Sequence, residues 1–274
     1  MEFTKEKTMK DSFNKSASIR TRTIRGYDVH IVDSNSYESL ALLSTAYTNV
    51  YEPAFPIDTE RESLDTFLGN LAGKNPNVNI VIAIVGDDLG MPCSVIKGLS
   101  VGYYYNKEDV GLMAYNAIAP EARNQGLGYV MVEARKQALF DLAKIKGGTL
   151  KGVFLECNDP EKVKPEEDSF DPAARLAIFQ KWGAKILPVD YVQPPLAKGA
   201  ESCHTLKLLA YPHPASGEYP TPEGIKGFIR GIYAELAKYS PHPPEKNPYY
   251  IRTMQQINVL EQGSRKRDLV PPTV

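Results

Sequence analysis

Apolar and polar residues alternate over Tyr27-Asp28-Val29-His30-Ile31-Val32, the period-two pattern of a half-buried strand, and the run ends at Asp33-Ser34-Asn35-Ser36, good helix-entry chemistry. The spacing then changes to three and four. Leu40, Leu43, Ala46 and Tyr47 fall on one face of a helix that Pro53 and Pro56 are expected to stop near Val50. A second helix is predicted from about Glu60 to Ala72, with Leu64, Phe67, Leu68 and Leu71 inward and Asn75-Pro76-Asn77 as its end. Three β-type runs follow, Asn79–Val85, Val95–Tyr105 and Val110–Ile118. The turn residues Gly86-Asp87-Asp88 and Asn106-Lys107-Glu108-Asp109 separate them, so they read as an antiparallel meander.

After Pro120 the period is helical again. Leu127, Val130, Met131, Ala134, Ala138, Leu142 and Ile145 share a face, and Gly147-Gly148 closes the helix. A strand over Gly152–Glu156 comes next, then an acidic loop over Asn158–Phe170. Asp171 has the character of an N-cap with Pro172 at the first helical position, and Gly183 is the expected stop. Strands over Ala184–Pro188 and His204–Leu209 complete the unit. From about Tyr211 the chain is punctuated by prolines, with helices predicted near Pro222–Lys238 and Tyr250–Gln262. The pattern divides into a basic, disordered tail (1–25), a mixed α/β domain (26–210) and a proline-rich helical C-terminal extension (211–274), with 263–274 frayed.

Composition narrows the classes. Of 274 residues, 42% are apolar and 24% charged, enough to bury an ordinary core. With 32 Lys+Arg against 33 Asp+Glu, the formal charge of −1 argues against a broad field for nucleic acid or an anionic membrane. The longest near-continuous apolar run, Val78–Val85, contains Asn79 and is far below the ~20 residues of a membrane span. No signal-peptide stretch follows the first methionine, which points to a cytoplasmic protein. Cys93, Cys157 and Cys203 form no Cys-x-x-Cys pair, and no His stands at ligand spacing, so neither a disulfide framework nor a metal is expected.

The chemistry concentrates in Asn116-Ala117-Ile118-Ala119-Pro120-Glu121-Ala122-Arg123-Asn124-Gln125-Gly126-Leu127-Gly128, a strand end, a turn and a helix start. Amides opening a helix lack internal partners and point outward with the positive end of its dipole, and Gly126 and Gly128 admit an anion close to the main chain; a diphosphate is the ligand this suggests. The string lacks the lysine of a nucleotide P-loop and is not a Gly-x-Gly-x-x-Gly dinucleotide fingerprint, and the strands before it are antiparallel.

This stretch resembles the acyl-CoA-binding signature Arg/Gln-x-x-Gly-x-Gly/Ala of the GNAT superfamily of N-acyltransferases, with Arg123, Gly126 and Gly128 at its three fixed positions. The element order from Tyr27 to about Ala210 is similar to that superfamily's. Ala174–Gly183 looks like its second landmark, the helix ending Leu-Tyr-x-x-x-Gly-Phe. The resemblance implies a GNAT-like, mostly antiparallel central sheet with flanking helices, and acetyl-CoA or another acyl-CoA as donor. Main chain at Ile118 and Ala119 would pair with pantetheine, and the amides from Arg123 through Asn124, Gln125, Gly126 and Leu127 to Gly128 would hold the diphosphate. Asn158 and Phe179 would line the cofactor.

Attack on a thioester needs a neutral amine, and an alkylammonium with pKa near ~10 gives up its proton at neutral pH at a cost of roughly 4 kcal/mol. Glu156, at the end of its strand where several members of the family place a glutamate, is the expected base. The family's tyrosine acid is replaced by Phe179, so the thiolate leaves unprotonated or another group protonates it. Tyr191 is the expected substitute, with Tyr115 and Tyr103-Tyr104-Tyr105 as alternatives. Cys157, and Cys203 beside His204, invite a nucleophile reading that strand alternation disfavours. The loop acids Glu161, Glu166, Glu167 and Asp168 either attract a cationic acceptor or are simply solvated. The expected activity is acetylation of an amine on a small molecule or peptide. A non-catalytic CoA sensor or scaffold, and a longer acyl-CoA or carrier-protein donor, are the alternatives, and a homodimer is compatible with all three.

Overall fold

The computed structural model describes residues 21–56, 61–168 and 170–268, with the side chains of 167 and 263–268 outside the description. Eight strands form one sheet in the order β1-β2-β3-β4-β5-β6-β8-β7. They are β1 (Arg22–Ile24), β2 (Tyr27–Ile31), β3 (Val78–Asp87), β4 (Val95–Tyr105), β5 (Val110–Ile118), β6 (Val153–Asn158), β7 (Lys185–Ile186) and β8 (Leu206–Tyr211). The helices are α1 (Tyr37–Ala46), α2 (Glu52–Ala54), α3 (Leu64–Leu71), α4 (Leu127–Ile145), α5 (Pro172–Lys181), α6 (Pro222–Leu236) and α7 (Pro248–Asp268). The fold is the mixed, mostly antiparallel α/β arrangement expected, with β5 and β6 pairing parallel across the α4 crossover. No helix among the described residues is long and apolar enough to cross a membrane.

By packing, the chain divides into two compact units. The first holds 1–64, 82–100 and 116–134, and the second 65–81, 101–115 and 135–274, so far as these are described. In the first unit Arg22–Ile24, assigned above to the tail, forms a strand. Arg25 and Gly26 have φ of 52° and 87°, the doubly left-handed tight turn that matches strand twist, and they fold β1 back onto β2. The rest of the predicted tail, through Arg20, lies outside the described residues, as does 269–274; of the stretch 263–274 expected to fray, 263–268 instead continue the last helix, α7. Ser36 caps α1 by accepting from the Ser39 amide. The helix runs past Val50 after all, through a π turn over Tyr47–Tyr51 into α2, which contains Pro53. Proline removes an amide and crowds the carbonyl four residues back in an α-helix; the turn that leads into it is of the wider π type, closed by Glu52 N–H donating to Tyr47 O. The core of this unit joins Val29, Val85 and Ala117 of the sheet to Leu127, Val130, Met131 and Ala134 of α4.

In the second unit the β5–β6 register contains two pairs, Gly111↔Val153 and Leu112↔Phe154, whereas β6 and β8 stay paired from Val153↔Tyr211 to Asn158↔Leu206. The distal half of β6 therefore relies on β8 for its ladder. Asp109 secures the return of the chain: it accepts from Tyr104 Oη (2.8 Å), from Thr149 N and Oγ1 (both 2.9 Å) and from Leu150 N (2.9 Å). Those donors hold its carboxyl below the usual range against the opposing effect of burial. On α4, the buried Arg135 donates to the carbonyls of Val101 and Tyr115, and removal from water lowers its pKa to about 10.

The segment predicted as a separate extension belongs to this unit. Glycines 224, 227 and 231 let α6 approach closely: a Cβ at 224 would lie 2.6 Å from Lys151 O and one at 231 would lie 3.0 Å from the Tyr105 ring. Phe228 and Ile229 are wholly buried, and the Phe228 ring stacks on Phe154 with centroids 4.7 Å apart. The last helix begins at Pro248, earlier than its periodicity indicates, because Asn247 accepts from the amides of Tyr249 (3.0 Å) and Tyr250 (3.3 Å) as its cap.

Candidate functional site

In the first unit β5 runs out at Ile118 into a 3₁₀ turn over Pro120–Ala122, and α4 starts at Leu127. Asn124 and Gly126, at φ 63° and 80°, are left-handed, and this alternation curls successive amides toward one side. Among the described residues, the amides of Asn124, Gln125, Gly126, Leu127 and Gly128 find no backbone acceptor, while Gly126 O accepts from Tyr129 and Val130. The loop is held from below, since Gln125 Nε2 donates to Glu121 O (3.0 Å) and Tyr27 Oη donates to Gln125 O (3.3 Å). Leu127 is 1% exposed and anchors the turn in the core. Arg123, Asn124, Gln125 and Gly126 face solvent, and a Cβ at 126 would meet nothing within 4 Å, so it is φ that favours glycine there. A helix start whose amides lack backbone acceptors has the chemistry to receive an anion.

One of the expected main-chain donors is already used. Ala119 N–H donates to Lys97 O (2.9 Å), and its carbonyl accepts from Ala122. Successive residues of a strand direct their polar groups to opposite edges, so the main chain of Ile118 is turned to the other edge.

In the second unit Glu156 sits on β6 opposite Leu208, and two donors from the connection between β7 and β8 reach it. Tyr191 Oη donates to Glu156 Oε1, and Gln193 Nε2 donates to Oε2 at 2.9 Å. Burial pushes the Glu156 carboxyl up, against the stabilising effect of these hydrogen bonds. Burial and the neighbouring carboxylate together push the Tyr191 phenol well above its ordinary value, so it remains a donor through the neutral range. The two predicted catalytic residues are thus brought into direct contact. Gln193 is the member that sequence reasoning missed; nothing local marks it, because only the β bridge Gln193↔Cys203 aims it.

The other candidates have neighbours of their own. Asn158 Nδ2 donates to Asp168 Oδ2 at 2.7 Å, and Asp168 also takes a two-pronged contact from Arg175, which holds its carboxyl down. The loop acid Asp168 is therefore internally paired, while Glu161 and Glu166 face solvent and the Glu167 side chain lies outside the description. Phe179 is half-buried with its ring edge-on to Trp182. Of the alternative tyrosines, Tyr104 is bound to Asp109, Tyr105 packs edge-on to Phe228 and Tyr115 lies beside Phe67. Cys157 is 2% exposed with its thiol pushed up to about 11 by burial, the opposite of an activated nucleophile. Cys203 contacts Thr205 while the His204 ring packs on Tyr249. A cavity of about 320 Å³ adjoins Tyr191, with Ile186, Asp190, Leu206, Lys162 and Lys207 among its lining.

No family model matches the sequence, and no curated protein is similar to it. Among solved structures, the chain is similar to a putative acetyltransferase of the GNAT family from Bacteroides thetaiotaomicron at 17% identity and TM-score 0.50, covering 75% of this chain and 96% of that one. It is also similar to the ribosomal-protein-S18-alanine N-acetyltransferase from Escherichia coli, at 16% identity and TM-score 0.41 over 69% of this chain and 97% of that one. The first of these carries the conclusion that the protein has the GNAT acyltransferase fold.

Proposed function

We propose that the protein is an acyl-CoA-dependent N-acyltransferase that acetylates an amine of a small molecule or peptide by direct attack on the thioester. The observation that carries this reading is the row of unpartnered amides from Asn124 to Gly128, in a turn where Arg123, Gly126 and Gly128 match the acyl-CoA signature. Amides fixed in this way stabilise a diphosphate without reorganising, and the helix dipole adds to them. Arg123, whose guanidinium has no partner among the described residues, adds a screened positive charge.

Glu156 is the base in this reading. Its raised pKa brings its proton affinity closer to that of the ammonium it must deprotonate. Tyr191, protonated and hydrogen-bonded to that carboxylate, takes the acid role that Phe179 cannot fill, returning a proton to the departing thiolate. Amine attack forms the C–N bond, the C–S bond breaks, and free CoA and the amide leave.

Calorimetry with CoA followed by thiol release from acetyl-CoA with a panel of amines tests the proposal. Binding together with amine-dependent release supports it; absence of CoA binding removes it. Binding without release from acetyl-CoA or longer acyl-CoAs favours a CoA sensor or scaffold, the reading to which Phe179 at the family's tyrosine position points.

A further inference from the structure

The backbone on both sides of Tyr191 is gripped by the C-terminal helices. Before it, Asp190 is held through all three of its polar groups by α7: its amide donates to Gln256 Oε1 (2.8 Å), its carbonyl accepts from Thr253 Oγ1 (3.1 Å) and its carboxylate pairs with Arg252 Nη2 (2.9 Å). After it, Val192 O accepts from Tyr233 Oη of α6 at 2.8 Å in a buried contact. Thr253 is 1% and Tyr233 3% exposed, so neither bond is readily replaced by water. The helices are tied to each other by Lys226–Glu261 (2.6 Å) and the Tyr233–Tyr250 ring contact. Phe228 of α6 lies against the Tyr191 ring, with centroids 6.2 Å apart.

We infer that α6 and α7 form a positioning device: by fixing residues 190 and 192 they hold the Tyr191 hydroxyl on Glu156, and Thr253, Tyr233 and Gln256 are its positioning residues. The inference rests on the acyltransferase reading only where turnover is measured. The segment 188–192 contributes no strand pairs of its own among the described residues, so its placement depends on these side-chain bonds and on the bridge at Gln193. Charged groups on the elements around β6 are paired elsewhere: Lys207 of β8 with Asp159, Arg175 of α5 with Asp168, Arg230 of α6 with Glu108 and Glu223, and Arg252 of α7 with Asp190. Tyr105 and Tyr233 are the other titratable groups that act on Tyr191. The hydrogen bond from Tyr191 is therefore the main adjustable influence on the Glu156 proton. Its loss leaves burial less opposed and moves the carboxyl midpoint upward.

The test is a carbon-13 NMR titration of the full chain labelled at glutamate carboxyls, with Glu156 assigned by its absence in Glu156→Gln. Thr253→Val and Tyr233→Phe are each expected to raise the Glu156 midpoint by about half a pH unit or more, toward the value in Tyr191→Phe, with Thr253→Ser returning it to the wild-type position. Gln256→Met, at a half-exposed position, gives a smaller rise without emptying the core and serves where the buried variants fold poorly. In thiol-release assays the acid limb of kcat shifts by the same amount, while KM for acetyl-CoA stays within about twofold. A Glu156 midpoint unmoved in Thr253→Val, Tyr233→Phe and Gln256→Met, or moved equally by Thr253→Ser, overturns the inference. The titration reads the Glu156–Tyr191 contact whether or not the chain turns over, so failure of the device and failure of the acyltransferase reading are told apart.

Discussion

The turn before α4 and the carboxylate on β6 are built on opposite principles. The first presents main-chain donors that find no backbone acceptor among the described residues, on a loop where Arg123, Asn124 and Gln125 face water. The second is a side chain withdrawn from water with both carboxylate oxygens engaged by donors more than thirty residues away in sequence. An unmet backbone donor at a surface costs little, because water serves it until a ligand arrives. A buried carboxylate must be satisfied within the fold, and its chemistry is set by how well the donors are held. The two regions should therefore fail in different ways when altered.

The largest separation is expected from Glu156→Gln. On the proposed mechanism kcat falls by at least about 100-fold while the affinity for CoA, measured by calorimetry, stays within about twofold. Gly126→Asp should do the reverse, weakening CoA by about 30-fold or more, because it sets a like charge before a diphosphate and puts a side chain at φ 80°. The variant should still fold, at a cost of about 1–2 kcal/mol, because φ 80° strains any side chain even though no atom lies within 4 Å of the added Cβ. If both substitutions depress affinity and turnover together, the division of labour is wrong.

A smaller effect lies in stability. Because the folded-state pKa of Glu156 is raised, its contribution is fully present below the unfolded midpoint near ~4.3 and is lost as pH rises through the folded midpoint. Glu156→Gln should therefore gain on wild type across that window in urea unfolding. A variant that loses stability with rising pH relative to wild type contradicts the sign. The smallest effect belongs to Arg123→Ala. An exposed cation beside backbone donors is screened, so CoA affinity should drop by about threefold or less at physiological ionic strength, and more at low salt.

How much of this was legible in the sequence follows from the same distinction. The turn was readable residue by residue, because φ preferences, helix-start chemistry and the Arg-x-x-Gly-x-Gly spacing are local. Glu156 and Tyr191 were nominated, but nothing within a few residues of either showed that they touch or that Gln193 joins them. Arg22–Ile24 was missed because two turn residues inside a basic stretch outweigh its composition only when β2 offers an edge. The π turn that carries α1 past the expected proline stop was missed for a related reason, since proline was weighed against an α-helical geometry the chain does not keep there. The glycine spacing 224, 227, 231 beside Phe228 was a local signal that α6 packs tightly. It marks a close approach without naming the partner.

Taken alone, the sequence determined the alternation of strands and helices, the antiparallel meander and the donor-rich turn, since each is specified by periodicity and backbone preference over a dozen residues or fewer. Tertiary structure decided that the C-terminal helices belong to the second unit, that Ala119 spends its amide on Lys97, and that Glu156 is buried with Tyr191 and Gln193 as its donors. Those outcomes depend on which distant surfaces close over one another and expel water, and hydrophobic burial, being non-directional, leaves no mark of its partner in the local pattern.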